Sequence, residues 1–314
     1  MRYLLNYVAV LGMIALVNDC GKPAQPTASN EELSPPTQFH YSQVVVLFTG
    51  GYADPSVIQM PDATFLMYLN RFGETGTGTF ILSSDDAVSW KVQTDIVFRG
   101  VATGRGFRFS NGLRFYYPQL ERPPQFEGDE PPRNIVSSFS SDGISDWQDE
   151  GVLVVPRPGY SLGGPTVIRL KDGSYRMFFD EQDLSTIGPG KVLQGEIYAA
   201  SSKDALMWTR DEAPTIVYEE DVEGVGQGSH VAQVLHPFAM AWPDGGYLMF
   251  YTSHSRIFAA YSQDGFRWEK LGHTGIRGAD ADAIFLADGT LRIYFGDFTP
   301  ETSGIVYTAV LEVE

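Results

Sequence analysis

One short phrase is written four times along this chain, and it constrains the fold more than any other feature. It reads Ser-x-Asp, then Ala or Gly, then a Trp a few residues on. The copies are Ser84–Asp86–Ala87–Trp90, Ser140–Asp142–Gly143–Trp147, Ser202–Asp204–Ala205–Trp208 and Ser262–Asp264–Gly265–Trp268. The aspartates stand roughly 60 residues apart, and four of the five Trp residues fall inside the phrase. A fixed period of this length marks a repeat architecture. Asp bonds backbone N–H groups two residues on, Ala or Gly eases the turn, and Trp anchors the next strand in the core. The aspartates are therefore expected to build turns rather than to do chemistry.

A second phrase precedes the first in most units: an apolar strand, an Asp-Gly turn and a strand of alternating aromatics. It occurs at Val57–Tyr68, Val167–Phe178, Ala239–Tyr251 and Ala283–Tyr294, with a degraded copy at Gly106–Tyr117. Asp-Gly or Asn-Gly between strands of period two is the strongest local hairpin signal. Two hairpins sharing a middle connection make a four-stranded meander, the blade of a β-propeller. Five inner hairpins predict an all-β, five-bladed β-propeller, with blades near 51–98, 100–155, 160–218, 229–272 and 278–314. The last blade has no Trp phrase and ends after its third strand. The apolar strand Val44–Phe48 is expected to supply its outer strand and close the ring.

Ahead of the propeller, expected over 43–314, the sequence changes character. Tyr3–Val17 is an apolar run of signal-peptide length, too short to span a bilayer comfortably. It is followed by Cys20, the only cysteine, and by a Pro/Ser/Thr-rich stretch expected to be a flexible linker over 21–42. The layout resembles a bacterial lipoprotein, in which cleavage precedes a lipidated cysteine. Residues 1–20 are accordingly expected to be a signal peptide and Cys20 a lipid attachment site. The implied localisation is periplasmic, cell-surface or secreted, with the lipid as the sole membrane contact. The net charge of −17 repels phosphate backbones, so nucleic acid is not expected as a partner. A monomer is expected.

Inner strands of a propeller line its central channel. Aligning the five picks out Asp54, Thr103, Gly164, His236 and Asp280, each three residues ahead of an apolar run. Two carboxylates and an imidazole converging on one funnel are costly as core and point to a site. The phrase Gly51-Tyr-Ala-Asp54-Pro55-Ser-Val-Ile resembles the first-blade signature of glycoside hydrolase family 43 and its relatives in families 32 and 130. That resemblance implies a carbohydrate substrate, Asp54 as general base or nucleophile, and no required cofactor. A calcium ion in the channel, held by His236, is the one cofactor it could add; a hydrogen-bonded plug is the other reading of that histidine. The family places Glu-Gly-Pro at the start of its third blade, with Glu as the acid. Here Gly163-Gly164-Pro165 keeps the Gly-Pro and lacks the Glu.

Glycoside hydrolysis ordinarily uses two carboxylates, one protonated and one ionised. Glu121, Asp180, Glu181, Glu196, Asp282 and Asp297 stand near strand ends as substitutes. Glu181 is the preferred acid, beside the vacant position, and Asp280 joins the catalytic set. Tyr52, Arg71, Arg105, Glu121, His236, Asp282 and Asp297 are expected to bind substrate, with arginines (Arg256 included) available to clamp a sugar carboxylate. Two alternatives stand beside the hydrolase. One is a non-catalytic glycan-binding propeller that lost its acid at Gly163. The other is a sialidase-like hydrolase, suggested by the similarity of the Ser-x-Asp turn to the sialidase Asp box, which would require six blades and three converging arginines.

Overall fold

The computed structural model describes residues 36–72, 78–101, 103–126, 129–186, 194–218, 232–243, 245–297 and 304–313. The N-terminal apolar run and Cys20 lie outside them. The rest folds as five antiparallel sheets in a ring, each with four strands in meander order. Blade 1 starts at Tyr52–Gln59, blade 2 at Arg105–Phe109, blade 3 at Tyr160–Arg169, blade 4 at Leu235–Ala241 and blade 5 at Ala279–Phe285. Blades 1 and 3 each carry one further two-residue strand, antiparallel in blade 1 and parallel in blade 3.

Blade 5 takes its outermost strand from the other end of the chain. Phe39–Thr49 pairs antiparallel with Ile305–Val313, from Phe39 opposite Val313 to Thr49 opposite Ile305. The closing strand begins ahead of the expected boundary at residue 43, because Phe39–Ser42 already pair with Val313–Val310.

The core is divided among the seams. Five apolar clusters each join one blade to the next, as where Ile168 and Phe178 of blade 3 meet Ala239 and Met249 of blade 4. The repeated phrase does its work at these seams. In all four copies the Asp Oδ1 accepts two backbone N–H bonds across its own turn, from Val88 and Ser89 in the first. Those bonds hold all four carboxyls below the usual range. Each Trp then meets an aromatic ring of the preceding blade edge-on: Trp90 on Tyr294, Trp147 on Tyr68, Trp208 on Tyr116 and Trp268 on Phe178. Three of those rings are tyrosines, and each donates its hydroxyl to the turn carbonyl beside the Trp: Tyr68 to Gly143, Tyr116 to Ala205 and Tyr294 to Ala87. The phrase is thus a clasp from blade to blade, which explains its recurrence without any role in chemistry.

Candidate active site

The five aligned residues come together at one mouth of the ring, and they share an unusual backbone. Asp54, Thr103, Gly164, His236 and Asp280 all have positive φ, between 46° and 57°. In blades 1, 3, 4 and 5 the inner pairing slips at this point, between Ala53 and Ser56, Gly163 and Thr166, Leu235 and Phe238, and Ala279 and Asp282. Such bulges re-aim a side chain and are enriched beside active sites. Asp tolerates the left-handed region; a β-branched Thr does not do so readily. A left-handed residue at the same position of all five blades, four of them not glycine, marks a constructed site.

Side chains capture the N–H groups that the bulges free. Thr103 N–H donates to Asp54 Oδ2 (3.1 Å), Gly164 N–H to Thr103 Oγ1 (3.3 Å), His236 N–H to Asp180 Oδ1 (2.9 Å) and Asp280 N–H to Thr252 Oγ1 (3.1 Å). Asn70 Nδ2 donates to Asp54 Oδ2 at 2.9 Å and its Oδ1 accepts from Thr79. His236 Nδ1 contacts Asp280 Oδ1, and Asp280 also hydrogen-bonds the Asp54 carboxyl. Gly164 must be glycine, since a Cβ there would sit 2.8 Å from the His236 Cα. Above this cluster opens a cavity of about 650 Å³, lined by Asp54, Thr103, His236 and Asp280, with Phe72 and Arg133 on its walls.

Charges in the cluster are pushed apart. Burial, reinforced by the charge of Asp280, raises the Asp54 carboxyl to about 7. Burial also works to raise Asp280, but His236 outweighs it and brings that carboxyl to about 2. Burial would lower His236, yet Asp280, with Asp180 and Asp54 behind it, lifts the imidazole to about 9. At neutral pH the site therefore holds an ionised Asp280, an imidazolium at His236 and an Asp54 near its midpoint.

Several expected site residues lie elsewhere. Strand alternation sends Asp180 and Glu181 to opposite faces. Glu181 turns away from His236 into a separate recess beside Arg157 and Tyr198, clamped by Arg157 Nε (2.6 Å) and by both Nη atoms of Arg210 (2.6 and 2.7 Å). Burial would raise its carboxyl, but the two arginines hold it below the usual range. Asp180 faces the cluster instead. A Cβ on Gly163 would fall 2.6 Å from Asp180 Oδ2, so Asp180 fills the space beside Gly163. The vacancy that suggested a lost acid is thus occupied by a carboxylate from the neighbouring strand.

Arg105 and Asp282 stand two residues beyond Thr103 and Asp280, hence one layer deeper in the channel. Arg105 Nη1 and Nη2 donate to the Pro55 and Ala281 carbonyls, and Nε lies 3.8 Å from Asp282. Both are buried and tie blades 1, 2 and 5 together, and neither lines the cavity. Burial raises the Asp282 carboxyl to about 7 against the pull of Arg105. Tyr52 packs on Phe48 at 5.4 Å beneath the Arg71 guanidinium, in the seam that closes the ring. Tyr52, Arg71, Glu121, Asp297 and Arg256 do not line the cavity, and Glu196 lines the recess of Glu181. Among the described residues no group of three or more His, Cys, Asp or Glu is arranged to hold a metal, and His236 Nδ1 is engaged by Asp280. Asn70, Thr252, Phe72 and Arg133 were not identified from sequence; Asn70 alone left a trace, a polar residue ending the run Phe65–Leu69.

By sequence the chain matches no protein-family profile and no curated protein. Solved structures do match. A family 117 glycoside hydrolase of the marine bacterium Zobellia galactanivorans superposes with a TM-score of 0.62 at 14% identity, covering 87% of this chain and 90% of that one. The endo-arabinase of Bacteroides thetaiotaomicron gives 0.59 at 17%, covering 84% and 95%. A GH43_1 enzyme of Xanthomonas citri with xylotriose bound gives 0.60 at 12%, covering 86% and 89%. At such identities the likeness establishes the fold. The chain is a five-bladed β-propeller of the architecture found in glycoside hydrolases of families 43 and 117.

Proposed function

We propose that the protein is an exported glycoside hydrolase, with Asp54 as general base and His236 as general acid, positioned by Asp280. The observation that carries this reading is the Asp54–Asp280–His236 chain on strained backbone under the cavity, in which one member holds a proton at neutral pH and another titrates near 7. Asp54 and Asp280 hydrogen-bond each other, so they cannot flank a glycosidic bond, which requires carboxyls about 5–9.5 Å apart. Asp280 acts instead through His236: its bond to Nδ1 orients the ring and leaves Nε2 to protonate the leaving oxygen. Asp54 takes the proton of the attacking water. Phe72, at the cavity wall and 37% exposed, offers an apolar face to a sugar ring.

The test is hydrolysis of a panel of aryl glycosides and polysaccharides across pH. Turnover is expected to rise as Asp54 ionises through about pH 7 and to fall as His236 loses its proton through about pH 9. His236→Gln should remove the alkaline limb. A broad panel without turnover sinks the reading and leaves a glycan binder. Export rests on the apolar run before Cys20. In cells fed a labelled fatty acid, label is expected on the wild type and not on Cys20→Ala; an unlabelled wild type would remove the lipid anchor.

A further inference from the structure

Arg133 is placed unlike the other arginines at the chain's buried sites. Those have internal partners: Arg114 pairs with Glu150, Arg176 with Asp211, and Arg157 and Arg210 with Glu181, while Arg105 donates to two carbonyls and Arg292 to Thr308. Arg133 opens the third strand of blade 2, half-buried, and lines the cavity with Pro118, Leu162 and Gly163. Its backbone N–H donates to Ser161 Oγ at 3.1 Å. Its guanidinium makes no ion pair or hydrogen bond among the described residues, although Asp and Glu number 39 against 22 Lys and Arg. A guanidinium that lines the cavity without an internal carboxylate is free to take an anionic ligand. At the cavity floor Asp280 is paired with His236, whose backbone N–H also binds Asp180. Gln233 also lines the cavity, and its enclosed Oε1 has no hydrogen-bond partner among the described residues, leaving an acceptor for a sugar hydroxyl.

The geometry points to a hexuronic acid as the sugar this cavity takes, with Arg133 as the residue that reads its carboxylate. A guanidinium meets a carboxylate through two parallel N–H···O bonds, a match that lysine cannot make. The inference rests on the carbohydrate reading of the cavity but not on hydrolysis.

Equilibrium binding of methyl glucuronide and methyl galacturonide, beside methyl glucoside and methyl galactoside, separates the two. The expected result is at least 10-fold tighter binding of the uronides. Arg133→Gln should abolish that preference and leave neutral affinities in place, and Arg133→Lys should recover only part of it. A folded circular dichroism spectrum certifies both variants. Equal binding of acidic and neutral sugars overturns the inference, as does no binding of any uronide, or tighter binding of a sulfated galactoside. Uronide binding lost in Arg133→Gln, with no aryl uronide hydrolysed, upholds the inference and removes the hydrolase. Hydrolysis of neutral glycosides with uronides ignored does the reverse.

Discussion

Asp54→Asn is expected to lower kcat by roughly 10³-fold while making the folded protein more stable at pH 8. General-base catalysis contributes typically about 10²–10⁴-fold, and the amide cannot take a proton from water. The backbone accepts the change, because φ at position 54 is 48° and Asn tolerates this region as Asp does. The amide oxygen can still accept from Thr103 N–H and Asn70, and its NH2 can donate to Asp280. The sign of the stability change follows from the raised carboxyl. In the unfolded chain Asp54 ionises near 3.8; in the fold it holds its proton to about 7. Wild-type stability is therefore eroded as pH rises through that window, and the amide escapes the loss. Thermal melts should show the variant above the wild type at pH 8, with the gap closing by pH 4. Retained activity would remove Asp54 from the mechanism; a variant less stable at pH 8 would contradict the buried, proton-holding carboxyl.

Glu181→Gln should have the opposite profile, unfolding more easily while keeping kcat per folded molecule within about threefold. Breaking a fully enclosed ion pair costs about 3–5 kcal/mol. Here the carboxylate is enclosed, but the Arg157 side chain is 44% exposed, so about 2 kcal/mol is expected. The lowered carboxyl stabilises the fold above the ordinary Glu range and ceases to as pH falls through its native value. The difference between wild type and variant should accordingly shrink in acid, as chemical denaturation at pH 7 and pH 3 would show. A large loss of kcat at unchanged stability would return Glu181 to the list of proton donors.

The contrast between these two residues shows what a sequence of this kind can express. The ring of Asp54, Thr103, Gly164, His236 and Asp280 was legible because repeats align, and aligned positions in a radially repeating fold must converge. The clasp turns were legible for the same reason. Glu181 lies away from its expected place because sequence adjacency to an empty position says nothing of which face a strand presents, and one step along the strand separates the arginine-lined recess from the channel. Arg105 and Asp282 lie two steps along their strands from the ring, which keeps the direction and changes the depth. Arg133 left no trace, since it sits on the third strand of its blade, where no repeated phrase marks the register.

The closing strand carries a consequence for how the molecule is made. Phe39 meets Val313, so the last blade joins residues some 270 positions apart, whereas the four-stranded path of every other blade runs through consecutive strands. As the chain emerges, blades 1 to 4 can stack in order, each clasped to the one before by its Trp turn. Throughout that time Phe39–Thr49, with Val44 and Val46 half-exposed even in the finished ring, has nothing to pair with. Long-range strand pairing is slow and leaves edges open to aggregation. Closing the ring therefore waits on Ile305–Val313, and until those residues arrive the strand that holds Val44–Phe48 is an unpaired edge.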